Sequence, residues 1–299
     1  MAKRFDRRLK ALLQALLSGC LVVFVFRHLD GAQATMLAFH PQRISMLVGA
    51  FLAFNASKIV AALRLNIYQR HAAIHVGEGE NLRLYYAGMF LNLFLPGGIG
   101  GDGYKVLVLH RSQGLPLRPI VTVMLADRAS GVLALMFLLC LLMPVLGSRW
   151  EAPAATVFSA ASMAAIVAVF VWGHRRLVQI DRRGLASVFA LGLAVQCLQL
   201  ICMGMLLCYL GTPGAHYLSY LAVFLMSSVA AVLPLSIGGL GVREATFLFG
   251  LGLLHLDPGY GVVAATWFFL VTALSSFIGL PFLGRFSLRP TTGKSNALQ

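Results

Sequence analysis

The sequence predicts an all-α, polytopic membrane protein with about six full spans and two re-entrant, broken-helix segments related as an inverted repeat. Three observations predict it. Of the 299 residues 59% are apolar and only 11% are charged, and the apolar residues fall in several runs near 20 residues long, which is the composition of a membrane-spanning chain. The stretch Leu95 to Lys105 holds a proline and five glycines between Pro96 and Gly103, inside apolar sequence that extends from Leu82 to Leu109. No regular helix continues through such a stretch. A second stretch, Leu233 to Arg243, repeats the first at an offset of 138 residues, with leucine, proline, isoleucine and three glycines coinciding and Arg243 opposite Lys105.

In chain order, Met1 to Lys10 is basic and precedes the apolar run Ala11 to Phe26. That run lacks a small-residue cleavage site, so it reads as a retained first span and not as a signal peptide. Further spans are expected over Ile44 to Leu65, Arg118 to Val145, Ala154 to Trp172, Leu185 to Leu210 and Tyr260 to Leu283. One broken segment lies between the second and third spans and the other between the fifth and sixth. The longest polar excursion runs only from Gln69 to Arg83, so residues 1–299 are expected to form a single integral membrane domain, with repeats at approximately 44–145 and 185–284.

The net charge of +14 would point to nucleic acid in a soluble chain. In a membrane protein it reflects basic residues in short cytoplasmic loops, so no nucleic-acid partner is expected. With both termini cytoplasmic, 18 of the 24 basic residues fall on that side. Four (Arg27, Arg43, Arg149, Arg243) fall opposite, and Lys58 and Arg128 lie within spans. The same arrangement makes the two broken segments enter from opposite faces. Inverted repeats with discontinuous helices point to a transporter whose site lies near the bilayer midplane, and non-helical backbone at that depth needs a cavity or surrounding protein.

Charges away from span ends cost about 2.5–3.5 kcal/mol on insertion scales, so those present are candidates for function. They are Lys58, on one helical face with Asn55; Asp102 and Lys105 after the first break; Asp127 and Arg128; and Arg243 and Glu244 after the second break. Lys58 has a competing reading, in which its stem snorkels to an interface about two turns away. Asp127 and Arg128 are adjacent and point in different directions, against a mutual ion pair. The glycines at the helix starts (Gly100, Gly101, Gly238 and Gly239) offer backbone N–H groups and a positive dipole end to a phosphate. The competing reading there is tight helix packing.

Other sites read more weakly. The phosphate-loop spacing G-x-x-x-x-G-K-[ST] is not met at Ile99 to Lys105. His71 and His75 lack a third ligand, and the five cysteines lie in apolar runs and read as small core residues. Neither a metal nor a cofactor is expected.

Three runs in order, Asn92-Leu93-Phe94-Leu95-Pro96-Gly97-Gly98-Ile99-Gly100-Gly101-Asp102, Ala126-Asp127-Arg128-Ala129-Ser130-Gly131, and Leu233-Pro234 through Gly241-Val242-Arg243-Glu244, resemble the transmembrane domain of lysylphosphatidylglycerol synthase and its stand-alone, flippase-like relatives. The resemblance implies movement of a membrane phospholipid or a polyprenyl-phosphate glycolipid between leaflets, and it brings Asn92 into the candidate site. The chain ends 15 residues after Gly284, so no aminoacyl-transfer domain, and hence no lysine transfer, is expected. The expected location is a bacterial inner membrane, and a homodimer is left open. A membrane-embedded enzyme acting on a lipid phosphate or lipid-linked sugar is the alternative, and a small-solute permease the third reading.

Overall fold

The computed structural model describes residues 40–94, 100–146, 152–232 and 239–285. The predicted first span, Ala11 to Phe26, and the central parts of both glycine-rich stretches, Leu95 to Ile99 and Leu233 to Gly238, lie outside the described residues.

The described chain is helical throughout, in nine α-helices: α1 (Ile44–His71), α2 (Glu78–Phe94), α3 (Gly100–Gln113), α4 (Leu117–Leu146), α5 (Ala152–Leu177), α6 (Arg182–Leu210), α7 (Tyr217–Ala230), α8 (Val242–Leu253) and α9 (Pro258–Phe277). Five of them, α1, α4, α5, α6 and α9, are long and apolar enough to cross a membrane. They correspond to five of the six predicted spans, so the protein is multi-pass. The helices end at local signals. Asp181 caps α6 by accepting from the Gly184 N–H at 2.9 Å, and Gly211 closes that helix in the left-handed region at φ 72°. Asp257 caps α9 through the Gly259 N–H at 2.8 Å, with Pro258 in the first turn.

Each glycine-rich stretch separates two short helices packed antiparallel. In the first pair Lys105 lies beside Gly88 and Gly101 beside Asn92. In the second, Arg243 reaches Ser227 and Ser228 while Gly250 meets Val223. At about 1.5 Å per residue none of α2, α3, α7 and α8 reaches the roughly 30 Å of a hydrocarbon core.

The two halves pack reciprocally. Helices α1 and α6 lie together along the centre, α2 packs on α9, and α7 packs on α4. One apolar core joins α1 to α6 through α9 around Phe54, Leu206, Phe224, Phe247 and Phe268. A second, around Leu65, Tyr68, Leu84, Ile120 and Phe170, joins the far end of α1 to α2 through α5 and to the start of α6. Residues such as Leu52, Leu125, Phe158, Trp172 and Leu274 project outward; in a membrane protein they face lipid. Cys202 is buried, but Cys197 and Cys208 are on the exposed surface, unlike the predicted core cysteines.

Candidate functional site

A polar cavity of about 240 Å³ opens among α1 to α4, lined by Lys58, Arg64, Tyr85, Met89, Asn92, Asp102, Lys105, Asp127 and Arg128. Six of these were candidates from sequence. Arg64, Tyr85 and Met89 were not.

The position of α1 decides how Lys58 is read. The helix continues six residues past the predicted end at Leu65, to His71, so Lys58 sits 13 residues from the end, about 20 Å along the axis. Its Nζ lies 4.3 Å from the centre of the Phe54 ring, one turn back toward the opposite end. The stem thus points away from the His71 end of the helix. Among the described residues no carboxylate pairs with Lys58.

Arg64 stands at the end of the predicted span, where it counts among the 18 basic residues expected on the cytoplasmic side. It is instead a buried member of α1, with its side chain 5% exposed and its Nε donating to Asp127 Oδ1 at 2.8 Å. Its Nη2 donates to the Asp127 carbonyl at 3.0 Å, and its Nη1 is buried without a hydrogen-bond partner. The next residue on α4, Arg128, is turned by about 100° and faces α3, where its Nη2 is 3.1 Å from Asp102 Oδ2. The Asp127–Arg128 neighbours thus take separate partners, as their adjacency predicts. Asp102 is shared, since its Oδ1 accepts from Lys105 Nζ at 3.0 Å one turn away. Lys105 is itself nearly enclosed, and its Nζ lies 4.4 Å from the centre of the Tyr85 ring.

The other candidates lie outside the cavity wall. Asn55 ties three helices together: its Nδ2 donates to Phe51 O at 2.8 Å and Ser275 Oγ at 2.9 Å, and its Oδ1 accepts from the Tyr86 hydroxyl at 2.8 Å. Gly101 presses on the α2 backbone, where a Cβ would lie 2.0 Å from the Gly88 carbonyl oxygen. Its N–H donates to Asn92 Oδ1 at 2.7 Å, so that donor at the α3 start is engaged by a side chain. Gly100 opens the same helix. At the second break Gly239 and Gly241 both adopt φ 83°, in the left-handed region. Glu244 Oε2 accepts from the Gly241 N–H at 2.7 Å and caps α8. Gly238 lies outside the described residues.

Arg243 does not line the cavity. Its Nη1 donates to Ser228 Oγ at 2.9 Å, and its guanidinium lies over Phe268 and Phe224, 5.0 and 5.5 Å from their centres. Phe268 in turn meets Phe54 edge-on, with centres 5.6 Å apart, and Phe54 carries Lys58 on its face. A cation from each half thus bounds one aromatic cluster.

At the loop end of α1, His71 Nε2 lies 3.0 Å from Asp181 Oδ1 and Nδ1 lies 2.9 Å from Ile67 O. The pair joins the end of α1 to the start of α6. Among the described residues no three histidine, cysteine or carboxylate side chains converge as metal ligands would.

Sequence reasoning missed Arg64 because, as the next-to-last residue of the predicted span Ile44 to Leu65, it was counted with the cytoplasmic basic residues at the span end. The signal was present: Leu65, Asn66, Ile67 and Tyr68 continue without a proline or glycine, and three of the four are buried at or below 3% exposure.

No curated protein and no solved structure matches the chain. The family model described as the lysylphosphatidylglycerol synthase TM region matches residues 11–279, including every residue of the cavity and both glycine-rich stretches. With the membrane-spanning helices and the polar cavity in place, the match across most of the chain means that this protein belongs to the lysylphosphatidylglycerol synthase transmembrane-region family.

Proposed function

We propose that the protein moves a phosphate-containing lipid, or a lipid-linked sugar, between the leaflets of the membrane, with no bond made or broken. The observation that carries the reading is the cavity itself: four cations and two carboxylates gathered among helices whose outer faces are apolar. A charged headgroup crossing a bilayer needs such a polar path, because the hydrocarbon core offers it no partners. In this reading the headgroup meets Lys58, Lys105 and Arg128 and passes toward Arg243, while its chains remain in lipid.

The two helical hairpins enter the membrane from opposite faces in this proposal. Their shortness and the reciprocal packing of α2 on α9 and α7 on α4 support that arrangement. Asp102 holds Lys105 and Arg128 apart while the site is empty and releases them to the phosphate, so it acts as a placeholder anion. Movement is passive or coupled to an ion or proton, with Asp102, Asp127 and Glu244 as the carboxylates available for coupling.

The test is translocation of tail-labelled fluorescent phospholipids in liposomes. Asp102→Asn and Arg243→Ala are expected to abolish it while the purified variants keep the wild-type elution profile and melting curve. Translocation at the wild-type rate in both would sink the site. The alternative, a membrane-embedded enzyme, rests on the same convergence of charge on a lipid phosphate. Mass spectrometry of the lipids after incubation separates the two, because transport leaves every mass unchanged.

A further inference from the structure

Away from the cavity, one patch of α1 carries buried polar atoms that nothing pairs. Among the described residues Asn66 Nδ2, Asn66 Oδ1 and Gln69 Oε1 are all enclosed and have no hydrogen-bond partner. Asn66 and Gln69 are three apart and so adjoin on the helix surface, and they are only 3% and 1% exposed. Gln69 Nε2 donates to Asn81 Oδ1 at 3.1 Å, and Asn81 Nδ2 donates to the Ala62 carbonyl at 2.7 Å. The patch therefore faces the start of α2, and neither Asn66 nor Gln69 lines the cavity.

The placement of Asn81 accounts for what is left over. An amide side chain within a helix can donate to the carbonyl one turn back, as Asn55 does to Phe51 O at 2.8 Å. For Asn66 that carbonyl is Ala62 O, which Asn81 already occupies. Both Asn66 amide atoms are unpaired, so exchanging its oxygen and nitrogen leaves the same demand. Gln69 is fixed in orientation, because Asn81 must present its own Nδ2 to the Ala62 carbonyl and its oxygen to Gln69.

Unpaired amide groups are costly when removed from water, and a buried group of this kind calls for a partner. The three atoms are one donor and two acceptors. A cation would satisfy the oxygens and leave Asn66 Nδ2 unpaired, and an anion would do the reverse. Water both donates and accepts, and three partners are what a buried water ordinarily has. We infer that the α1–α2 seam is a water-binding site, in which one water or a pair donates to Asn66 Oδ1 and Gln69 Oε1 and accepts from Asn66 Nδ2. Water in that seam lets hydrogen bonds between the two helices be exchanged through a mobile partner. The opposite side of α2 is built differently, with Gly101 directly against the Gly88 carbonyl. The site is independent of what the cavity binds.

The direct test is a structure of the full chain in lipid nanodiscs at a resolution that shows ordered water. Density is expected about 2.7–3.2 Å from Asn66 Nδ2 or Oδ1 and from Gln69 Oε1. Well-ordered Asn66 and Gln69 side chains with no density between them overturn the inference. A melting temperature raised by sodium chloride over choline chloride at equal ionic strength in the wild type, and not in Asn66→Leu, also overturns it, since the ligand is then a cation. Stability gives a second reading. Asn66→Leu displaces the water and strands Gln69 Oε1, so its melting temperature is expected to fall by about 3 °C or more. If the amide has no partner, leucine removes two costly groups, and an equal or higher melting temperature overturns the inference. Should Asn66→Leu fail to fold, the density in the wild type decides.

Discussion

At the scale of single residues, the Arg64–Asp127 pair is the most consequential contact that the linear order hides. Sixty-three residues separate the two, and their contact at 2.8 Å fixes α4 on α1 with both groups removed from lipid. Removing one partner leaves an uncompensated charge, so Arg64→Met is expected to cost about 3–5 kcal/mol. The double variant Arg64→Met/Asp127→Leu is expected to recover most of that loss, as chemical denaturation in detergent can measure. If the single variant is as stable as wild type, the pair is not a structural tie. Lys58, Asp102, Lys105, Asp127 and Arg128 were legible because a charge inside an apolar run stands out. Arg64 was not, because a basic residue near a predicted span end looks like a loop residue until the true end of the helix is known.

At the scale of helices, the break positions were legible from proline and glycine, and the five described spans from apolar runs. What the runs do not reveal is which glycines serve packing. Gly101 must lack a side chain because Gly88 of α2 occupies that space, a fact about a partner helix that composition cannot carry. The start of α6 is tied by Asp181, whose carboxyl is held below the ordinary carboxylate range by the Gly184 N–H first and by His71 second. A carboxyl lowered in the folded state stabilises above its unfolded pKa of about 3.9, and that contribution is lost as the pH falls through the folded value. Between pH 6 and pH 3 the wild type should therefore lose more melting temperature than Asp181→Ala, compared by thermal scans of the two proteins. Parallel decline of both curves would show that the cap is energetically silent.

At the scale of the whole molecule, the orientation is an expectation drawn from the distribution of basic residues. Arg64 and Lys105 leave the predicted cytoplasmic side for the interior, and Arg243, expected on the opposite one, lies against Ser228 and Phe268. Under the expected arrangement the remaining loop charges favour one face. In a background free of native cysteines, an impermeant maleimide applied to intact cells should label Ala215→Cys, between α6 and α7, and spare Arg175→Cys, at the end of α5, until the cells are lysed. Reversed labelling would invert the proposed orientation. The recurrence of Leu-Pro and glycine at matching positions predicts a pairing of repeats, whereas the packing of α2 on α9 and of α7 on α4 was not legible, because no local pattern names a distant neighbour.

The seating of α2 has a mechanical corollary. Its backbone is gripped on two sides, by Gly101 against Gly88 and by Gly279 against Tyr86, where an added Cβ would in each case lie 2.0 Å from a carbonyl oxygen. At both contacts a glycine lies directly against a main-chain carbonyl with no side chain between them, so α2, α3 and the turn after α9 are expected to move together. Any gate in this half must then swing where the joint is made of long, re-orientable charged arms, along the α3–α4 seam at Asp102 and Arg128, with the glycine crossings as its fixed post.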